Sequence, residues 1–599
     1  MTDRWKPRLA DEKMLVGNST STGTATPADI PFHPRGSMHR LHRQSPESAV
    51  LLKRQNAPQI YAESAASLVG FGFLTPALTN AGSQRSDCLM DTTCRRPHLQ
   101  PRRRSGALSL PFAAALVLTL SLEQATGADG LRRPNILWLI GENINLDLGC
   151  YGATLVETPN LDRLAAEGVR YTRAFATNPA CAPSRSAFFT GMYQTTTGTH
   201  PMRSHRDDGF RLPAGVRPIT HWLRDAGYFT ANIKTIGSRP VGTGKLDLNF
   251  VNEGPIYVSD DWTELKSHQP FFAVVNSHEV EYDIYDRQSA KKERVEWVGE
   301  REHPQKATPK NVTPPPYYPD HPVVRQEWAR YLNSVSGMDR RIGWVLEALR
   351  EEGLEEDTVV IFFADNGRLE ARGIHWCYDS GLHVPLIIRW PKNLPVPPQI
   401  APGKMDGQML SLIDVTATTL AIAGQPRPLV LQGRVFLGDR VDPPRSYAFS
   451  ARDRIDETVQ RIRSVRDPRY RYIRNFTPGP TFASLNRYKE KCFLVMPLMR
   501  DLQEQGKLTG APALLVAQSG PSEELYDLET DPHEIKNLVA SSETGPREAL
   551  QRLRAALDVW MVETGDQGAH PEAPDVVAPF ANEMDAWFGT PVWAKTVRP

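Results

Sequence analysis

The sequence predicts an α/β fold in which helices cover both faces of a sheet. Two short and almost continuous apolar runs, PNILWLI at 134–140 and TVVIFF at 358–363, are typical of strands buried on both faces. Between such runs, apolar residues recur every three or four positions, as in 328–353, and this spacing indicates amphipathic helices. Strands that alternate with helices in this way favour a layered α/β architecture.

The composition argues against several classes of protein. The chain has 599 residues, of which 40% are hydrophobic and 23% are charged, an ordinary balance for a chain that buries a core. Lysine and arginine total 70 against 69 acidic residues, so the net charge of +1 argues against a nucleic-acid partner held by a global positive field. The six cysteines include no CxxC pair, which argues against a disulfide scaffold and a cysteine-rich zinc module.

The beginning of the chain is predicted to lie outside the fold. Segment 1–104 is rich in Ser, Thr, Pro and Arg and has no periodicity, so we interpret it as disordered or as a mis-called extension, with translation starting at Met90. Three arginines and the apolar run 106–122 then predict a signal peptide over 105–128, and hence a secreted or periplasmic protein. An uncleaved membrane anchor is the alternative, although the run is shorter than the ~20 residues of a typical spanning helix.

Two acid–amide pairs follow the two apolar runs. Glu142-Asn143 follows the first run, and Asp365-Asn366 follows the second. Because ligands of open α/β sheets bind beyond the carboxyl ends of strands, we expect the four side chains to face one place. Oxygen ligands suit a hard divalent cation such as Ca²⁺ or Mg²⁺. The alternative interpretation is that both pairs are simple polar turns.

Cys181 is predicted to begin a helix, with Pro183 in its first turn. The positive end of a helix favours a thiolate, an alkoxide or a bound oxyanion. A cysteine in that position can equally be a small buried residue.

The segment CAPSR at 181–185, followed by Thr190-Gly191, resembles the signature of the type I sulfatases of the alkaline-phosphatase-like superfamily. Further blocks in the order found in sulfatases extend the resemblance over roughly 134–540: PNILWLIGEN, LGCYG, ETPNLDRLAAEGVRYTRAFA, FFADNG, YDSGLHVPLIIRWP, SLIDVTATTLAIAG and ELYDLETDPHEIKNL. GTHPMRS at 198–204 and RYRYIRNFTP at 469–478 are similar to heparan N-sulfatases and other exported glycan sulfatases.

The resemblance implies a domain organisation. It predicts a catalytic domain at 134–455, built on a large mixed sheet sandwiched by helices. A small C-terminal antiparallel sheet subdomain at 456–563 and a tail at 564–599 are expected to follow.

The resemblance also implies roles for individual residues. Cys181 would be oxidised to formylglycine by a formylglycine-generating enzyme, and its hydrated form would attack sulfur. Arg185 would fix the hydrated aldehyde, and Lys234 would grip the sulfate. Ca²⁺, or less favourably Mg²⁺, would be held by Glu142, Asn143, Cys181, Asp365 and Asn366.

The chain departs from the family pattern at several positions. Asn143 replaces an acid, and Ile236 and Ile374 stand where the family carries a histidine and a lysine. His278 and His375 are candidate replacements for the missing acid and base, or are ordinary surface or core histidines. The candidate substrate-binding residues are His200, Arg203 and Arg372.

The predicted function is hydrolysis of a sulfate ester or sulfamate on a glycan. One alternative is a phosphodiesterase or phosphonate monoester hydrolase of the same superfamily. The other is a degenerate member that binds sulfated glycan without turnover. The expected partner is a sulfated carbohydrate, with no nucleic acid, and with a membrane only if 106–122 remains as an anchor.

Overall fold

The computed structural model describes residues 133–205, 208–277, 306–477, 479, 482, 484–517, 519–570 and 572–591. The proposed start at Met90, the predicted signal peptide and His278 lie outside these residues. Within the described part of the chain, no helix is both long and apolar enough to span a bilayer.

The described strands form two sheets. The larger sheet has ten strands in the order β10-β2-β8-β7-β1-β6-β3-β4, with β5 paired to β3 and β9 paired to β2. Its strands are β1 Asn135–Gly141, β2 Val169–Phe175, β3 Phe229–Ile236, β4 Arg239–Pro240, β5 Ser259–Asp261, β6 Phe271–Ser277, β7 Thr358–Ala364, β8 His383–Arg389, β9 Lys404–Asp406 and β10 Leu410–Ser411. β8 runs antiparallel to both β2 and β7, whereas β1 is parallel to β6 and β7, so the sheet is mixed.

The smaller sheet is antiparallel, in the order β11-β12-β13-β14. Its strands are β11 Ala448–Arg452, β12 Ile462–Arg466, β13 Tyr470–Asn475 and β14 Glu523–Asp527. The predicted class, a large helix-covered mixed sheet with a small C-terminal antiparallel sheet, is confirmed.

The described α-helices are α1 Pro159–Glu167, α2 Cys181–Thr190, α3 Gln194–Thr197, α4 Ile219–Asp225, α5 Pro322–Glu351, α6 Asp379–Leu382, α7 Leu412–Ile422, α8 Arg487–Cys492, α9 Val495–Glu504, α10 Ala511–Leu514, α11 Thr544–Glu563 and α12 Pro574–Phe588. Short 3₁₀ helices cover Gly149–Tyr151, Trp262–Glu264, Glu355–Asp357 and Gln567–Ala569. α12 occupies part of the segment expected to be a tail.

Alternate residues of β1 show how helices cover both faces of the large sheet. Trp138 packs edge-on against aromatic rings of α2, β6 and β7, and its indole N–H donates to Thr419 of α7 at 3.1 Å. On the other face, a Cβ placed at Gly141 would lie 3.0 Å from the sulfur of Met338 in α5. The two faces of β1 are therefore buried by different helices, as its continuous apolar run predicts.

Candidate active site

Three parallel strands end side by side at the centre of the large sheet. Gly141 at the end of β1 pairs with Ser277 of β6 on one side and with Ala364 of β7 on the other. Glu142 and Asp365 are the next residues on their strands, and both are fully buried. The register of the sheet thus brings the two acid–amide pairs to one place, as the sequence predicts.

Helix α2 begins beside these strand ends. Asn178 fixes the approach to the helix, because its side chain accepts from the Ala180 N–H at 2.9 Å and donates to the carbonyl of Ala451 at 2.7 Å. The Cys181 sulfur then lies 3.9 Å from Oδ1 of Asn143. One turn further along, the Ser184 hydroxyl donates to the carbonyl of Asp365 at 2.5 Å, which ties the helix to β7.

Arg185 joins the strand ends to each other. Its Nε donates to Asp365 Oδ2 at 3.0 Å, Nη2 donates to Glu142 Oε1 at 2.5 Å, and Nη1 donates to Asn276 Oδ1 at 2.8 Å. Burial alone would lower the pKa of Arg185, but the carboxylates of Glu142 and Asp365 outweigh it and raise that pKa. The guanidinium is therefore charged, and it holds both carboxylates in place.

A lysine that sequence reasoning missed completes this group. Lys245 Nζ donates to Glu142 Oε2 at 2.9 Å. We call Glu142, Arg185, Lys245 and Asp365 the carboxylate cluster; it contains two carboxylates and two cationic groups. Asp247, in the same loop, adds a further negative charge near Arg185.

The structure does not bring Lys234 to the carboxylate cluster. Its side chain is 52% exposed, and Nζ donates to Asp260 at 2.7 Å. The chain turns back after β3, with the N–H groups of Val241 and Gly242 donating to the Lys234 carbonyl. Because the chain folds back here, Lys245 lies at the strand ends. The sequence signal was the pattern Lys245-Leu246-Asp247 in a glycine-rich loop, with a polar residue two positions after the lysine, where Lys234 is followed by Ile236.

Four of the five predicted metal ligands, the two acid–amide pairs, fit a hard cation in their chemistry. Asn366 Nδ2 donates to Asn143 Oδ1 at 2.8 Å, and Asp365 Oδ1 accepts the N–H of Asn366 at 2.9 Å. Oδ1 of Asn366 is buried and has no hydrogen-bond partner among the described residues. An orphaned amide oxygen beside two carboxylates suits Ca²⁺ or Mg²⁺. No three His, Cys, Asp or Glu side chains group as a metal site in the described ranges, so the amide oxygens would be needed as ligands.

His375 is brought close to Cys181. Its backbone N–H donates to the carbonyl of Pro179 at 2.7 Å, and its ring is buried, with Nδ1 lacking a partner in the described part of the chain. Burial, and then the positive charges of Lys489, Arg452 and Arg203, hold the pKa of His375 well below its usual range. The ring is therefore neutral near pH 7.

The three predicted substrate-binding residues have protein environments of their own. Arg372 donates to the carbonyls of His533 and Glu534 at 3.0 and 2.6 Å, so it anchors a C-terminal segment. Arg203 donates to Asp456 Oδ1 at 2.7 Å. Burial lowers the pKa of His200, although nearby Asp453 opposes the shift. None of the three has a described contact with the carboxylate cluster.

Comparison with known proteins identifies the family. The sulfatase family model matches residues 134–243 and 257–425. An ulvan-active sulfatase of Formosa agariphila is 34% identical over 493 residues, which cover 75% of this chain and 78% of that protein. The N-sulphoglucosamine sulphohydrolase of Homo sapiens is 28% identical over 500 residues, which cover 76% of this chain and 94% of that protein.

A solved structure shares the fold. It is a proposed sulfatase from Bacteroides thetaiotaomicron VPI-5482, similar at a TM-score of 0.50 and 19% identity over 74% of this chain and 96% of that chain. The identity to the ulvan-active sulfatase over three quarters of the sequence, together with the family model, confirms the predicted family: the chain belongs to the sulfatases and is a hydrolase of sulfate esters or sulfamates.

Proposed function

We propose that this sulfatase removes sulfate from a glycan, with formylglycine at residue 181 as the nucleophile and a bound divalent cation. Two relatives are named for ulvan and for N-sulphoglucosamine, which supports a sulfated carbohydrate as substrate. The observation that carries the proposal is the position of Cys181. It begins a buried helix and lies 3.9 Å from the amide oxygen of Asn143, beside the carboxylate cluster.

The divalent cation and the formylglycine would supply a positive charge and an oxygen nucleophile, which the unmodified side chains do not provide. A cation held by Glu142, Asn143, Asp365 and Asn366 would supply positive charge near the sulfate oxygens, and residue 181, once oxidised to the aldehyde and hydrated, would supply an oxygen nucleophile. Ca²⁺ is preferred over Mg²⁺ because it tolerates irregular sets of oxygen ligands, whereas Mg²⁺ requires near-octahedral geometry.

The residues of the chain position these groups. Arg185 holds the carboxylates of Glu142 and Asp365 through charge-assisted hydrogen bonds, so the oxygen set is preorganised. The start of α2 directs backbone N–H groups toward its N-terminal end, which favours an anion there. Lys245 is within reach of the same place and would attract the sulfate oxygens.

His375 is proposed to accept a proton rather than donate one, because it is neutral near pH 7. His278 remains the predicted acid that protonates the leaving group. The signal-peptide prediction supports a secreted or periplasmic location, and a formylglycine-generating enzyme is the proposed partner during maturation.

The test combines mass and activity. The protein is expressed with a formylglycine-generating enzyme, and the tryptic peptide 174–185 is weighed, with the peptide carrying Cys377 as an internal control. We expect the aldehyde mass at residue 181 and an unmodified thiol at Cys377. The same preparation should hydrolyse 4-nitrophenyl sulfate faster than 4-nitrophenyl phosphate or phenylphosphonate, should lose activity to a chelator, and should regain it with Ca²⁺.

Other outcomes favour the alternatives. Preference for the phosphate or phosphonate ester would indicate a phosphoryl hydrolase. An unmodified Cys181, in cells that convert a control sulfatase, would favour a degenerate glycan-binding protein.

A further inference from the structure

A second group of basic side chains lies next to the peptide that leads into Cys181. It comprises Arg203, His375, Arg452 and Lys489, which we call the basic cluster. The N–H of His375 donates to the carbonyl of Pro179, two residues before Cys181. The guanidinium carbon of Arg452 and Nζ of Lys489 lie 4.3 and 5.8 Å from the ring centre of Trp376, the residue after His375. These two groups and Arg203 act electrostatically on the His375 ring. Met202 packs in one apolar cluster with Cys181, which brings the neighbouring Arg203 to the same side.

The elements that supply the basic cluster are distinct from those of the carboxylate cluster. Arg452 ends β11 of the small sheet, and Lys489 lies in α8. Lys489 Nζ donates to the carbonyls of Ala371 and Ile374, both at 2.6 Å, so it holds the loop that carries His375. The C-terminal part of the chain therefore contributes side chains beside the Cys181 helix.

Arg452 is buried without the partners that a buried guanidinium normally has. It is 2% exposed, and neither Nε nor Nη1 has an acceptor among the described residues. Its guanidinium carbon lies 4.3 Å from the centre of the Trp376 ring, a contact that offsets only part of the lost hydration. Nδ1 of His375 lacks a described partner as well.

The acidic groups nearby balance only part of this charge. Asp456 accepts from Arg203 at 2.7 Å within the basic cluster, and Asp453 accepts from Arg463 outside it at 3.1 Å, so neither is hydrogen-bonded to Arg452 or Lys489. Burial lowers the pKa of Arg452 to about 10 even though Asp453 and Asp456 oppose it. Burial, and then Arg452, also hold the pKa of Lys489 well below its usual range. Buried positive charge in excess of its counter-charge is costly unless an anion binds.

We propose that the basic cluster is a second anion subsite, which binds a carboxylate or a second sulfate group carried by the substrate beside the sulfate at residue 181. The proposal rests on the proposed function, since it presumes that a sulfated glycan binds at Cys181. A guanidinium with two unused N–H groups matches the paired oxygens of either anion. The substrate class is then a glycan with at least two anionic groups close together.

The experiment compares ligands that differ by one anionic group. One pair is N-sulfoglucosamine and N-sulfoglucosamine 6-sulfate, which tests a second sulfate. The other pair is N-sulfoglucosamine linked to glucuronic acid or to glucose, which tests a carboxylate. Binding of each ligand is measured by calorimetry on the full-length protein produced without a formylglycine-generating enzyme, so that Cys181 stays unmodified and the proposed reaction does not consume the ligand. Hydrolysis of 4-nitrophenyl sulfate is measured separately and tests the proposed function.

We expect the wild-type protein to bind the doubly anionic member of at least one pair about 10-fold or more tightly, as for a charge-assisted hydrogen bond in a buried site. Arg452→Gln should reduce this ratio to about 2-fold or less, and Arg452→Lys, which keeps the charge, should retain part of it. Arg469→Gln is the matched control, because Arg469 is half-exposed and paired with Asp527, and its ratio should equal that of the wild type.

Two results would overturn the subsite. In the first, the wild-type protein binds both members of each ligand pair with equal affinity, whether or not 4-nitrophenyl sulfate is cleaved. In the second, the doubly anionic ligand binds more tightly, but Arg452→Gln and Arg452→Lys leave this affinity ratio unchanged although both variants have a native circular dichroism spectrum. A third outcome separates the two proposals. If the wild-type protein binds the doubly anionic ligand more tightly and Arg452→Gln removes that preference, but 4-nitrophenyl sulfate is not cleaved, the subsite stands and the proposed hydrolysis fails.

Discussion

The carboxylate cluster and the basic cluster both lie beside the start of α2, but their charges are balanced differently. In the first, Glu142 and Asp365 are matched by Arg185 and Lys245 at hydrogen-bond distances. In the second, Arg203 is matched by Asp456, but Arg452 and Lys489 are buried together without a carboxylate at hydrogen-bond distance among the described residues. Matched charge gives a rigid and preorganised site, whereas unmatched charge of one sign gives a place that an outside anion stabilises.

The largest expected effect comes from Cys181, which lies near both clusters. Cys181→Ala removes the proposed nucleophile and should lower the rate of sulfate-ester hydrolysis by about 10⁴-fold or more. Calorimetric binding of the sulfated ligands should persist, because the groups around residue 181 remain. Equal activity of Cys181→Ala and wild-type protein would contradict the proposed role.

The next effect is on stability and tests the matched cluster. Arg185→Gln leaves Glu142 and Asp365 buried without their shared counter-charge, so the free energy of unfolding should fall by about 3–5 kcal/mol. Arg239→Gln is the control, because its pair with Glu347 is about half-exposed and should contribute less than about 1 kcal/mol. Urea unfolding followed by circular dichroism measures both variants, and similar losses would argue against a charge-matched cluster.

The two lysines give a sharper test of the same cluster. Lys245→Ala should lower kcat/KM about 100-fold, since Lys245 contacts Glu142 at the strand ends. Lys234→Ala should stay within about 2-fold of the wild type, because Lys234 forms an exposed pair with Asp260. The reverse order would restore Lys234 as the residue that grips sulfate.

The smallest effect is the pH dependence of stability that the basic cluster confers. The pKa of Lys489 is lower in the folded protein than in the unfolded chain, chiefly through burial. Between those two pKa values the unfolded chain binds more protons, so this group makes the protein more stable as the pH rises toward the ordinary lysine pKa of about 10.4. Lys489→Met should remove that contribution, which chemical unfolding at several pH values can measure. Parallel pH profiles for the two proteins would show that the pKa of Lys489 is the same in the folded protein as in the unfolded chain, against the shift that its burial implies.

The sequence predicts the centre of the site well because local patterns determine it. An apolar strand followed by an acid is visible in the sequence, and parallel strands necessarily end at one edge, so Glu142 and Asp365 are predictable. Cys181 and Arg185 follow from the motif at the start of α2. The fold class follows from the same strand and helix patterns.

The surrounding residues depend on tertiary structure that no local pattern encodes. Lys234 lies in β3, and Lys245 lies in the loop that folds back after it. The hydrogen bonds that close this loop determine which of the two lysines reaches the strand ends. Arg452 and Lys489 come from the C-terminal part of the chain, more than 270 residues after Cys181. Their meeting with His375 is set by the packing of β11 and α8 against the loop after β7.

The pairing of β1 with both β6 and β7 has a consequence for heat inactivation. Glu142 and Asp365 are set side by side by a backbone ladder in the middle of the sheet, not by a surface loop. Such central strands open only when the whole domain unfolds. On slow heating, therefore, the catalytic groups should separate only when the sheet itself is lost, and activity and secondary structure should disappear over the same interval of temperature.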